Sequence, residues 1–99
     1  MEADALLQGD IKGAATLMGL LSSETRLRIL CRLLEREQSV GELARLCDIP
    51  QPTMSQQLKR LKEAGLVEAR REAQTIYYRL AGEEVIAILE TLHRLYCAR

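Results

Sequence analysis

Three thiols, Cys31, Cys47 and Cys97, and one imidazole, His93, are the side chains of this 99-residue chain best suited to covalent or metal chemistry. A thiolate can take sulfur from a persulfide or oxygen from a peroxide, and a second thiol can then close a bridge. An odd cysteine count does not suggest a static disulfide framework. His93 and Cys97 stand four apart on one helical face, so doubled across a dimer they would supply four metal ligands. His93, or Arg94 three positions before Cys97, could also lower the pKa of that thiol. A thiol enzyme is a further reading, since nucleophilic Cys near His is an enzyme arrangement. Against it stand the absence of Cys-x-x-Cys and of a glycine-rich phosphate loop, and only Glu90 is at hand to orient His93. Each residue also has a plainer use. Cys31 fits as a small buried hydrophobe, Cys97 as a terminal residue without a role, Cys47 as a structural residue and His93 as a packing or surface residue.

A second set of residues suits nucleic acid. Between Gln51 and Arg79 six cations (Lys59, Arg60, Lys62, Arg70, Arg71, Arg79) face three carboxylates, although the whole chain has zero net charge. A helix after Pro50 presents Gln51, Thr53, Ser55, Gln56, Gln57, Lys59 and Arg60 on the side opposite Met54, Leu58 and Leu61. Amides and hydroxyls donate and accept at base edges, and glutamine can pair bidentately with adenine. Arg70 and Arg71 flank a hairpin loop that could follow a phosphate backbone or enter a minor groove. The same face also reads as an ordinary solvated surface.

The elements that must hold these residues follow from periodicity. Ninety-nine residues make one domain, residues 1–99, and a chain this short gains from burying further surface in a dimer. Apolar residues make up 47% of it, which excludes a disordered chain. With no Phe or Trp, the core must be built mainly from Leu, Ile, Val and Ala. The start, MEADALLQGD, is acidic and lacks a signal-peptide apolar segment, and no apolar run would span a membrane. A cytoplasmic location, where thiols start reduced, is expected. The spacing predicts a first helix over residues 4–20 and a second capped by Ser22 or Ser23, with Leu27, Leu30 and Leu34 inward. Cys31 falls roughly 40° from Leu27, at the edge of that apolar stripe. Ser39 and Glu42 have capping-box spacing for a short third helix running to about Cys47, with Leu43 and Leu46 inward. A turn, DIPQP, leads to a fourth helix that Gly65 ends. Residues 66–71 and 75–80 read as two strands joined by a three-residue loop, Glu72 to Gln74. A last helix from Glu83 to about Cys97 has Val85, Ile88, Leu89, Leu92 and Tyr96 as its apolar stripe. Cys97 lies roughly 120° from Val85, on the flank of that stripe. The fold class is mainly α with a small β-hairpin: a winged helix-turn-helix, four helices, two strands and a closing helix.

LSSETRLRILCRLL, SVGELARLCDIPQPTMSQQLKRLKEAGLV and RREAQTIYYRL together resemble the ArsR/SmtB family of bacterial winged-helix repressors, over nearly the whole chain. The resemblance implies a homodimer joined through residues 1–20 and 83–99, bound to an imperfect inverted repeat in promoter DNA. Its recognition helices would stand on the order of 34 Å apart. It also implies that Gln51, Thr53, Ser55, Gln56 and Gln57 lie in the recognition helix and that Arg70 and Arg71 lie near the wing. Pro50 departs from the family's usual capping Ser, and Gln57 from a frequent His. The family's Cys-x-Cys metal pair maps onto Arg45 and Cys47, and its last-helix zinc site needs an Asp and a second His that are absent here. Neither usual metal site can form, and no cofactor is expected. ILCRLL with LHRLYC resembles the persulfide- and oxidant-sensing HlyU/SqrR/BigR branch, and EAQTIYYRLAGEEVIAILETLHRLYC its HlyU-like members. That resemblance implies that Cys31 and Cys97 form a sensing dithiol. Reactive sulfur species or oxidants would bridge them by a disulfide or polysulfide and lower DNA affinity, and an anti-repressor role is a further implication. A metal-responsive repressor is the alternative.

Overall fold

The computed structural model describes residues 9–97. Helix α1 spans Ile11–Leu21, α2 Glu24–Glu35, α3 Val40–Cys47, α4 Gln51–Glu63 and α5 Glu83–Tyr96. Strand β1 is Gln38–Ser39, β2 Val67–Glu72 and β3 Thr75–Leu80. The expected order of elements is present, with one addition. The hairpin is joined by β1 to make a three-stranded antiparallel sheet in the order β1-β3-β2, with Gln38 opposite Tyr78 and Ser39 opposite Tyr77. Two residues, the second of them the N-cap of a capping box, carry no periodicity, so this strand has no signal of its own.

The helix ends show why each segment starts where it does. Asp10 caps α1 by accepting from Gly13 N–H at 2.8 Å. A Cβ on Gly13 would run into that carboxylate, so a residue that is poor inside a helix is what lets this one be capped. Gly9 and Asp10 are outside the helix, so it does not run unbroken from residue 4 as expected; residues 4–8 lie outside the described residues. Ser23, not Ser22, caps α2. At α3 both halves of the capping box form, Ser39 Oγ accepting from Glu42 N–H at 3.1 Å and Glu42 accepting from Ser39 N–H at 2.9 Å. Asp48, left-handed at φ 56, turns the chain from α3 into α4.

The core is aliphatic. Ile29, Leu30 and Leu33 of α2 meet Leu43, Ala44 and Cys47 of α3, Met54, Leu58 and Leu61 of α4, and Val85 and Leu89 of α5. Of the expected inward residues of α2, Leu30 is buried but Leu27 and Leu34 are only half-buried; Ile29 and Leu33 take the interior places, because the helix is covered by α3 and β3 as well as by α5. Leu46 is likewise half-buried, and Cys47 takes the interior place at 2% exposure. Tyr96 is not in the core stripe but 76% exposed, with Leu95, Met18 and Ile11 also open on α5 and α1. The first strand of the hairpin, β2, begins and ends one residue later than expected. Glu72 pairs with Thr75, which leaves a two-residue loop, Ala73 and Gln74, in place of three. Ala73 takes φ 57 there, at the first central position, where a type II′ hairpin turn favours glycine. No described helix is long and apolar enough to cross a membrane.

Candidate nucleic-acid interface and thiol cleft

Helix α4 is built to leave one side and one end open. Met54, Leu58 and Leu61 are fully buried, which turns Gln51, Thr53, Ser55, Gln56, Lys59 and Arg60 outward to solvent. Gln57 departs from the expected face: it is half-buried, and its Oε1 is buried without a partner. The amino end of α4 also differs from its neighbours. Helices α2, α3 and α5 carry Glu24, Glu42, and Glu83 with Glu84 in their first turns, whereas α4 carries no acid there and Pro50 offers no capping side chain. The first N–H groups and the positive end of that helix dipole therefore stay free for an anion such as phosphate. Arg60 and Lys62 in the last turn offset the opposite end. Gln51 and Ser55 share a polar groove of about 360 Å³ with Ser39 and with Gln74, Thr75 and Ile76 of the hairpin.

The two arginines of the hairpin have different surroundings. Arg70 donates from Nε to both oxygens of Glu37 at 3.0 Å, from Nη2 to Glu37 at 2.8 Å and from Nη1 to Glu72 at 2.7 Å. Its guanidinium lies 4.6 Å from the ring centre of Tyr77. These bonds hold the Glu37 carboxyl below the usual carboxylate range and raise the Arg70 guanidinium further. Arg71 is exposed opposite Ile76 and has no ion pair among the described residues. Glu37 has no signal in sequence as part of this arrangement, since its partner stands 33 residues away.

The thiols lie elsewhere. Helices α2 and α5 pack against each other, and Cys31, His93 and Cys97 line clefts on both sides of that contact. One cleft, about 410 Å³, adds Arg28, Arg32, Leu34 and Glu35. The other, about 490 Å³, is largely apolar, with Met18, Leu27, Ile88, Leu92 and Tyr96 among its walls. All three cysteines are unbridged. Cys31 is half-buried and Cys97 exposed. Burial, and then the nearness of Cys97, push the Cys31 thiol above its ordinary pKa. Burial also raises Cys47, against the opposing pull of Arg32 and Arg28. The fold thus brings Cys31 and Cys97 together and seals Cys47 in the core. Arg28 and Arg32, the cations beside these thiols, escaped sequence reasoning. They stand three positions before and one after Cys31, a spacing that signals a cleft only once α5 is docked on α2. Among the described residues no three His, Cys, Asp or Glu side chains gather as metal ligands would.

Residues 23–69 match the family model for bacterial regulatory protein, arsR family. The transcriptional activator HlyU of Vibrio cholerae serotype O1 is 49% identical over 84 residues, covering 85% of this chain and 78% of that protein. The structure of its reduced form superposes with a TM-score of 0.88 at 44% identity, covering 93% of this chain and 97% of that one. The transcriptional repressor BigR of Xylella fastidiosa superposes with a TM-score of 0.90 at 38% identity, covering 100% of both chains. The homodimeric winged helix-turn-helix DNA-binding domain of a Mycobacterium bovis protein gives 0.77 at 34% identity, covering 96% of this chain and 85% of that one.

Proposed function

Since this chain belongs to the ArsR family of bacterial transcriptional regulators, we propose that it is a homodimer that grips promoter DNA through α4 and the hairpin wing and releases it when a bridge forms between Cys31 and Cys97. The single observation that carries the sensing half is that both thiols line the same clefts between α2 and α5. A homodimeric relative of the same fold and four large exposed apolar side chains on α1 and α5 support assembly through these helices. In this reading Gln51, Thr53, Ser55, Gln56, Gln57, Lys59 and Arg60 meet the inverted repeat, and the protein works in the cytoplasm, where that DNA lies.

The order of events follows from exposure. Cys97 meets the inducer first, because it is open, whereas Cys31 is half-buried and burial raises its thiol's pKa. The Cys97 thiolate takes the outer sulfur of a hydropersulfide, RSSH, and RSH leaves. The Cys31 thiolate then attacks the sulfur still attached to the Cys97 side chain and expels hydrosulfide, leaving a disulfide. With a peroxide, Cys97 becomes a sulfenic acid, and Cys31 condenses with it to release water. A bridge fixes α2 to α5, one helix of the core to one helix of the dimer contact, and changes the spacing of the two α4 helices. A coupling of about 1–3 kcal/mol is enough for a 5- to 150-fold loss of affinity.

The test is a gel shift with Cys31→Ser. This protein should bind promoter DNA like the wild type and stay bound when treated with a persulfide donor. Release on treatment would overturn the dithiol reading. In the treated wild type, mass spectrometry should find the peptides containing residues 31 and 97 joined.

A further inference from the structure

We infer that Arg70 is a positioning residue and not a DNA contact: strapped over the middle strand to Glu37, it sets the pose of the wing, and Arg71 makes the backbone contact. This rests on the reading that the wing binds DNA. In the sheet order β1-β3-β2, Arg70 stands on β2, Tyr77 on β3, and Glu37 immediately precedes β1. The guanidinium therefore crosses the Tyr77 ring to reach a carboxylate at the far edge. β1 is two residues long and pairs only with Tyr77 and Tyr78, so the tip of the hairpin has no third strand. A two-stranded ribbon is marginally stable and twists freely, and the fork of an arginine on a carboxylate supplies the angular restraint it lacks.

Three observations point the same way. Each of the three Arg70 nitrogens already donates to a carboxylate. The sheet face it occupies also carries Glu68 paired with Arg79, so with Glu37 and Glu72 the acids there outnumber the arginines and would repel phosphate. Arg71 faces the other way, because residues opposite one another in an antiparallel pair share a face and its partner is Ile76. Ile76 lines the groove that holds Gln51 and Ser55 of α4.

The experiment uses a fluorescent duplex selected by the wild-type protein from a randomised pool. Affinity is measured against salt for Glu37→Gln, Arg70→Gln, their double variant, Arg70→Lys and Arg71→Gln, and backbone hydrogen exchange is followed in the free proteins. Glu37→Gln and Arg70→Gln should each weaken binding about three- to tenfold with no change in salt slope. The double variant should be no worse than either single one. Arg70→Lys should not rescue, since an ammonium cannot form the fork. Arg71→Gln should lower the slope by about one. Exchange in β2 and β3 should rise equally in Glu37→Gln and Arg70→Gln. Tighter binding by Glu37→Gln, rescue by Arg70→Lys, a slope lowered by Arg70→Gln, or exchange as in the wild type would overturn the proposal. If no duplex is selected, the DNA reading fails, and the restraint on the wing is judged on exchange alone.

Discussion

At the scale of single residues, environment separates side chains of one type. Cys47 is sealed in the core, Cys31 is half-buried and Cys97 is open. Burial first, and Cys97 second, raise the Cys31 thiol, so less of it is thiolate at neutral pH than for a free cysteine. Iodoacetamide labelling of Cys31 in a Cys47→Ser background should therefore rise with a midpoint above the ordinary thiol range. Adding Cys97→Ser should bring that midpoint down, because a neighbouring thiolate no longer opposes the charge. Labelling of Cys31 at the rate of a free thiol at pH 7 would refute the account. That Cys47 and not Leu46 takes the interior place was not legible, since both continue the apolar pattern of SVGELARLC. The meeting of Cys31 and Cys97 was legible only by resemblance, because helical spacing says which side of its own helix a residue takes and not which other helix will cover it. The two arginines of the wing looked alike in sequence for a related reason: alternation along a strand puts them on opposite faces, but which face carries carboxylates depends on Glu37, beyond two strands.

Elements were easiest to read where a local rule fixes both ends. The capping box of α3, the Pro50 start of α4 and the left-handed Gly65 after it are present as spacing predicts. The loop of the hairpin was not, because no glycine marks it and register comes from pairing across the strands. Ala73 pays for this with a positive φ. A Cβ in that region costs about 1–2 kcal/mol, part of which glycine gives back in chain entropy. Ala73→Gly should therefore stabilise the protein by about 0.5–1 kcal/mol, raising its melting temperature in calorimetry by a few degrees. A fall in melting temperature would show that the loop has another conformation. The two-residue β1 was not foreseen. Its register opposite Tyr77 and Tyr78 and the bond from Gln38 Nε2 to the Arg32 carbonyl, 2.6 Å, are tertiary contacts that tie the end of α2 to the wing.

For the whole molecule, the open apolar side chains carry the next expectation. Met18 is 50% exposed and Tyr96 76% in the single chain, and both line the apolar cleft beside Cys31 and Cys97. In the proposed dimer they meet the second copy. Met18→Asp, which disturbs no buried contact of the chain itself, should shift sedimentation from dimer to monomer. It should also weaken DNA binding at least about 100-fold, since one subunit alone loses the second half-site. A Met18→Asp protein that remains a dimer would move the interface away from α1. Both thiols lie beside this same cleft, so a bridge there would act where subunits join, at a distance from α4.

The amino-acid sequence by itself determined the helices, the capping box of α3, the polar side of α4 and the aliphatic core, because each depends on residues within a few positions of one another. Only the tertiary structure decided that Cys31 and Cys97 share a cleft, that Arg70 is held by Glu37 and that Tyr96 stands in the open. Those are meetings between segments tens of residues apart, and no periodicity along one chain encodes which faces will touch when the helices and the sheet pack.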